Sequence, residues 1–195
     1  MPRGGPCTFA QLLRERGAAA VTIDEVLVRS GAPRGSVYHH FPEGRSQILR
    51  EALEYAVREI TASIDEAAGE SAAALLRLFV EFWEQCLVDS DYNAGCPVLA
   101  AAVGSGADEQ QLTSVAADIF GRWREASRQA YLREGFEPSD AIALADTTIS
   151  AMEGAVVLCR SIRSLEPLHD VAAQMEFLIK AKEFVAKFGV PALSE

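Results

Sequence analysis

Apolar residues recur at intervals of three and four along nearly the whole chain, and no stretch alternates apolar with polar long enough to make a convincing strand. The clearest early segment runs from Thr22 to Phe41. Thr22 with Glu25 three places on forms a capping box, and Ile23, Val26 and Leu27 supply one buried face for the helix it opens. Gly31 stands where that helix must stop, because glycine takes left-handed backbone angles without a Cβ clash. Pro33 then starts a second, shorter helix in which Val37 and Phe41, four apart, face inward. Arg34, Ser36, Tyr38 and His39 are left pointing mostly outward.

From Arg45 onward the pattern remains helical. It predicts helices over 46–68 and 71–88 with Gly69 as the break, a loop over 91–95, and a short helix from Pro97 to near Gly104. Longer helices follow over 107–134, 138–163 and 167–188, closed or opened by Gly135, Pro138 and Pro167. In the first of these Leu112, Val115, Ala116, Ile119, Phe120 and Trp123 form an apolar stripe. About nine helices result, an all-α chain with a small N-terminal helical region and a larger C-terminal one.

The outward face of the short helix gives the first chemical clue. A helix, a glycine break and a second short helix is the layout of a helix-turn-helix, whose second helix enters a DNA major groove. Arginine grips a guanine edge or a phosphate with two parallel bonds, whereas serine, tyrosine and histidine donate single bonds suited to phosphate oxygens. Gly35 leaves room for another backbone to approach, of protein or of nucleic acid.

Net charge, −10 over 195 residues, argues against a nucleic-acid binder until it is divided along the chain. Residues 1–55 hold seven Arg against six Asp plus Glu, while the remainder holds 11 basic against 22 acidic residues. An acidic body is repelled by a duplex and helps orient a weakly basic head. Hydrophobic residues make up 49% of the chain, enough for a substantial core, and no apolar run approaches the roughly 20 residues a membrane span requires. No signal peptide is evident, so a cytoplasmic protein is expected. Cys7, Cys86, Cys96 and Cys159 are scattered without a CxxC pair, which indicates neither a zinc cluster nor a disulfide framework. No cofactor or metal is implied. His39 and His40 are adjacent, project differently and make a poor metal pair, and there is no nucleophile elbow, HExxH or phosphate-binding glycine loop to suggest an enzyme.

The wording of the early segment resembles the tetracycline-repressor (TetR) family of bacterial transcription factors. Leu12, Leu13 and Gly17 look like the end of that family's first helix and Thr22-Ile23 the opening of its second. The run Arg34-Gly35-Ser36-Val37-Tyr38-His39-His40-Phe41, after Gly31, is similar to its recognition helix, and Pro42-Glu43-Gly44-Arg45 to the connection that brings a basic residue to phosphate. The resemblance implies DNA contacts at Thr22, Arg34, Gly35, Ser36, Tyr38, His39 and Arg45. Members usually carry Ser or Thr where Pro33 stands, so one capping hydroxyl is missing here. The implied organisation is a helix-turn-helix DNA-binding domain over 1–48 and an effector-binding and dimerisation domain over 49–195.

A homodimer follows from the geometry of DNA, because paired recognition helices must reach major grooves about 34 to 36 Å apart. The family pairs mainly through its last two long helices. Here Ile142, Ala145, Ile149, Met152 and Val156 line one of them and Val171, Met175, Leu178 and Val185 the other, with about half expected to close the monomer's own core. Gly95-Cys96-Pro97-Val98, Trp123, Met152-Glu153-Gly154-Ala155 and Leu158-Cys159-Arg160-Ser161 resemble the branch with lincomycin-resistance and flavonoid-responsive repressors. That branch implies a small lipophilic or aromatic effector that releases the protein from double-stranded operator DNA. Phe79, Phe82, Trp83, Cys86, Phe120, Trp123 and Met152 are the candidate walls of its site, each individually more consistent with plain core. Arg160 or Glu153 would supply polarity, although an exposed ion pair is the plainer reading of each. The alternative to a regulator is a non-enzymatic helical adaptor or small-molecule binder without DNA affinity.

Overall fold

The computed structural model describes residues 13–14, 22, 24, 27–28, 31, 35, 39–104 and 110–189. Six helices have bounds among them: α1 (Arg45–Glu70), α2 (Ala72–Asp89), α3 (Pro97–Ala102), α4 (Gln110–Arg133), α5 (Pro138–Ile162) and α6 (Glu166–Phe188). The expected count of about nine included three helices before Arg45, a region in which Leu13, Arg14, Asp24, Leu27, Val28, Gly35, His39 and His40 are helical but no bounds are drawn. The chain divides into two compact units, residues 1–63 with 86–122, and residues 64–85 with 123–195.

In the first unit the expected stop at Gly31 is present. Its φ is +64° and its N–H donates to the Leu27 carbonyl at 2.9 Å, closing the helical turn that holds Leu27 and Val28. A second left-handed glycine, Gly44, makes the tight turn before α1, with its N–H bonded to the Phe41 carbonyl at 2.9 Å. The Glu43 N–H then donates to Gln47 Oε1 at 3.1 Å, a side-chain cap for the start of α1. Ile48, Leu49, Ala52, Leu53, Ala56, Val57 and Ile60 are buried at helical spacing, so α1 presents one continuous stripe to the core. α3 begins on Cys96, whose Sγ accepts from the Leu99 N–H at 3.4 Å, followed by Pro97 in the first turn, where its missing N–H costs nothing.

Gly69 was expected to break the chain between α1 and α2, and it does not. It lies inside α1, which continues to Glu70. The boundary is made by Ser71, whose Oγ accepts from the Ala74 N–H at 2.9 Å as an N-cap, and by Glu134, whose Oε1 accepts from the Ala72 N–H at 2.7 Å. The cap therefore outranks the glycine. Gly69 is the penultimate residue of α1, so the break falls within two residues of the expected position.

The second unit holds the α5–α6 hairpin. α4 ends in a Schellman arrangement: Gly135, at φ +88°, donates to the Leu132 carbonyl at 3.0 Å, and the Phe136 N–H donates to the Tyr131 carbonyl at 3.2 Å. The Phe136 and Tyr131 rings meet edge-on at 5.8 Å between centroids, the apolar contact that accompanies such a cap. α5 ends with Arg163 in the left-handed region at φ 55°, and Ser164 N–H donates to the Cys159 carbonyl at 3.2 Å. By length and composition α5 is apolar enough to cross a membrane. It serves instead as a core helix, with Ala141, Leu144, Ala145, Thr148, Ile149, Met152, Glu153, Ala155, Val156 and Cys159 buried within the chain.

One buried polar pair ties α4 to α5. The Thr148 hydroxyl donates to the Leu144 carbonyl at 2.8 Å, so the single proton of that hydroxyl is committed and the Tyr131 O–H must donate to Thr148 Oγ1, also at 2.8 Å. Tyr131 is 1% exposed. Tyr131→Phe removes one bond and is expected to cost about 1 kcal/mol, whereas Thr148→Val strands the tyrosine proton in an apolar site and is expected to cost about 1 to 3 kcal/mol. Denaturant melts of the two single variants and the double variant check this. The double should cost less than the sum of the singles.

Candidate nucleic-acid interface and effector site

Of the residues assigned to DNA, Gly35 and His39 are helical and exposed, with His40 beside them, and Thr22 is exposed two residues before the helical Asp24. Arg45 is the first residue of α1 and is half-buried. Arg34, Ser36 and Tyr38 lie outside the described residues. A Cβ built on Gly35 meets nothing within 4 Å among the described residues. The His39 and His40 rings, expected to diverge, meet edge-on at 5.3 Å between centroids, and no group of three or more potential metal ligands occurs among the described residues. At the start of α1, Arg50 pairs with Glu43 at 3.3 Å and Gln47 Nε2 donates to Glu51 Oε1 at 2.8 Å. These contacts brace the turn that carries Arg45.

The seven candidate effector walls divide between the two units. Phe79, Trp83, Trp123 and Met152 are buried in the second unit and Phe82 is half-buried there, its ring edge-on to Trp83 at 5.2 Å. Cys86 and Phe120 are half-buried in the first unit. Burial in aromatic surroundings suits both a core and a ligand wall, as the sequence already implied. Glu153 departs from expectation: it is 9% exposed, buried on α5 next to Met152, while Arg160, two turns further along the same face, is half-buried. Sequence reading also missed the other buried polar side chains of the second unit, Ser127 and Thr148, whose hydroxyls bond to carbonyls one turn back. Nothing in their spacing distinguishes them from small residues on a wet face.

The stripes assigned to dimerisation resolve into two sets. Ala145, Ile149, Met152, Val156 and Met175 are buried and Val171 and Leu178 half-buried within the monomer. Ile142 and Val185 remain exposed. Joining them are residues the periodicity did not single out: Val157, Leu158 and Ile162 on α5, and Phe177, Phe184 and Phe188 on α6, with Phe177 69% exposed. So many large apolar side chains on two packed helices exceed what a solitary soluble surface ordinarily shows. Gly154 lies on the same exposed side, and a Cβ there would meet nothing among the described residues within 4 Å.

Exposed helical residues at Gly35, His39 and His40, just ahead of the long α1, fit the helix-turn-helix class of regulators. The model for bacterial regulatory proteins of the tetR family matches residues 10–52, and the model for the transcriptional regulator LmrA/YxaF-like C-terminal domain matches residues 72–174. The chain is 42% identical over 178 residues to the HTH-type transcriptional regulator Rv0196 of Mycobacterium tuberculosis H37Rv, covering 89% of this chain and 91% of that one. It is 25% identical to the HTH-type regulator YxaF and 26% identical to the HTH-type regulator LmrA, both of Bacillus subtilis, covering 90% and 87% of this chain and 93% and 92% of theirs. A crystal structure of regulatory protein TetR from Rhodobacter sphaeroides has the same fold, with a TM-score of 0.75 at 23% identity over 88% of this chain and 95% of that one. The chain belongs to the TetR family of transcriptional regulators, with an LmrA/YxaF-like C-terminal region. Families of this kind regulate transcription and are not enzymes.

Burial pushes the Cys86 thiol above the ordinary cysteine range, the Arg14 charge pulls it back down and Asp89 adds to the rise. At neutral pH the group is therefore the unreactive thiol. Site-resolved alkylation of Cys86 should be slow at pH 7, accelerate only above the usual thiol range, and slow further in Arg14→Ala, which removes the opposing charge.

Proposed function

We propose that the chain is a ligand-responsive repressor that binds a palindromic operator as a homodimer and leaves it when a small lipophilic or aromatic molecule occupies the body. The family membership spanning both the N-terminal and the C-terminal region carries this reading, because both models match within one chain. Residues 1–48 form the DNA-binding domain and residues 49–195 the effector-binding and dimerisation domain. The protein acts in the cytoplasm, where its operator is. Thr22, Arg34, Gly35, Ser36, Tyr38, His39 and Arg45 meet DNA: Arg34 and Ser36 reach base edges, while Tyr38, His39 and Arg45 hold phosphates. Gly35 is exposed, and its lack of a Cβ favours close approach of a duplex backbone at that point.

The dimer forms through α5 and α6. Supporting it are the exposed Val157, Leu158, Ile162, Phe177 and Phe184, together with Gly154, which costs about 1 kcal/mol relative to alanine in a helix and meets nothing among the described residues that would require it. Close approach of a partner helix gives that glycine a reason. The effector contacts Phe79, Phe82, Trp83, Trp123 and Met152, all of the second unit, with Glu153 as a polar group that orients it. Binding shifts a pre-existing equilibrium between two spacings of the reading heads, transmitted by α1. An effector achieves this only through its difference in affinity for the two arrangements, typically about 1 to 3 kcal/mol.

Selection of preferred sequences from random duplexes, followed by displacement with a panel of lipophilic aromatics, tests the whole reading. A helical adaptor would enrich nothing and show no salt-steep binding. On the selected duplex, Arg45→Ala is expected to lower the slope of log affinity against log salt by about 1 without changing sequence preference, and Arg34→Ala to cost roughly 1 to 3 kcal/mol and relax preference at one position. Sedimentation of Phe177→Glu with Phe184→Glu should give a folded monomer, because a carboxylate desolvated in an apolar seam opposes association. That variant should also lose most of its affinity for the full palindrome while retaining weak half-site binding.

A further inference from the structure

Arg14 occupies an unusual position among the polar side chains. It is helical, half-buried and next to Leu13, which is completely buried. Its backbone carbonyl accepts from the Gly95 N–H at 2.9 Å, and its guanidinium Nη2 donates to the Ala56 carbonyl at 2.6 Å. Ala56 is buried in the middle of α1, so the arginine adds a charge-assisted bond to a helix interior rather than to a loose end. The same charge acts on the Cys86 thiol at the end of α2. One residue of the N-terminal region thus touches, through its main chain, its side chain and its charge, three segments far from it in sequence. All of them fall within one compact unit.

The segment that Gly95 belongs to is held in a single shape. Ser90 Oγ donates to the Cys86 carbonyl at 2.7 Å and accepts from the Ala94 N–H at 2.9 Å, so one hydroxyl spans the turn from end to end. Asn93 Nδ2 donates to the Ser90 and Asp91 carbonyls at 3.0 and 3.1 Å. Asp91 and Tyr92 sit in the left-handed region at φ 50° and 59°, which aspartate enters comparatively readily and a bulky tyrosine rarely does. Beyond Gly95, the Cys96 cap and buried Pro97 pass directly into α3, and Ala101 of α3 accepts from Thr113 Oγ1 of α4 at 3.3 Å. The bonds of this turn link the end of α2 directly to the start of α3.

We propose that Arg14 is the positioning residue that fixes the reading head on the body, and that the 90–97 turn is the part of the body it reports on. This rests on the repressor reading above and deepens it. The backbone bond from Gly95 sets where the N-terminal helical segment sits, and the guanidinium bond to Ala56 sets its angle on α1. When α2 or α3 moves, both bonds are strained together and the head reorients. Arg14 itself does not touch DNA.

The test uses the full-length chain and a duplex selected by it from a random pool, together with versions of that duplex whose half-site spacing is lengthened or shortened by one or two base pairs. Arg14→Ala is expected to bind the selected duplex ~10-fold more weakly, the size of loss that follows from removing one charge-assisted bond. It should lose most of its discrimination among spacings and keep the wild-type salt slope, since no phosphate contact has gone. Arg14→Lys, which retains the charge and a donor, should recover much of the discrimination. Ser90→Ala, which loosens the turn without touching the head, should show the Arg14→Ala pattern in weaker form. A salt slope reduced by about 1 in Arg14→Ala would overturn the proposal by making the residue a phosphate ligand. So would a lower melting temperature with spacing discrimination intact in the folded fraction, which is a merely structural role. If the wild type enriches no duplex, the repressor reading fails and this inference with it; if the wild type discriminates spacing and the variants do so equally, only the role of Arg14 falls.

Discussion

The fold depends on where backbone groups find partners once a helix can no longer supply them. In a chain built from helices, the four amides at one end and four carbonyls at the other must be satisfied by something else, and that choice decides where each helix stops and in which direction the next one leaves. Gly31, Gly44 and Gly135 do so by entering the left-handed region, Ser71 and Cys96 by capping with a side chain, and Glu134 by bringing a carboxylate to the start of α2. Arg163 adopts the same left-handed geometry without being glycine, and the buried hairpin of α5 and α6 holds it there. Long-range caps such as Glu134 to Ala72 make the boundaries and the packing a single problem.

The body is apolar, but its interior is punctuated by polar groups whose partners are backbone carbonyls. Ser127 and Thr148 return to the helix they belong to, and Tyr131 then uses Thr148 as its acceptor. Such an arrangement specifies one register between α4 and α5, since a slip of one residue would leave the tyrosine proton without a partner. On the other side of the same hairpin the polarity is reversed. Large apolar groups face outward, from Val157 and Ile162 to Phe177 and Phe188, each roughly half or more exposed to solvent. A helix with apolar residues on both sides has one face for its own core and one for another molecule.

Much of this was legible along the chain. The stops at Gly31 and Gly135, the starts at Pro97 and Pro138, and the ends of α5 and α6 fall within a residue or two of where turn chemistry puts them, because those signals are local. The family resemblance carried by Gly31, Arg34 to Phe41 and the 95–98 and 152–161 stretches is upheld by the models matched at 10–52 and 72–174. Gly69 stands one residue before the end of α1, and the boundary itself is set by the local Ser71 cap together with Glu134, which lies 62 positions from Ala72 and outside any local window. Glu153 misled for a related reason: a carboxylate on an amphipathic helix ordinarily faces water, and only the packing around α5 places this one inside.

The sequence by itself determined the helical class, the main breaks and the residue types on the short helix, since helix periodicity, capping and glycine conformations act over a few neighbours. Tertiary structure alone decided which apolar positions of α5 and α6 close the core and which stay outside. Periodicity says that a stripe exists, but the side of the helix that meets a neighbour depends on how α5 and α6 rotate against each other. It also decided the partners of Arg14, because a guanidinium reaching Ala56 and a carbonyl reached by Gly95 are contacts between residues 42 and 81 positions apart, and no local rule couples such distances.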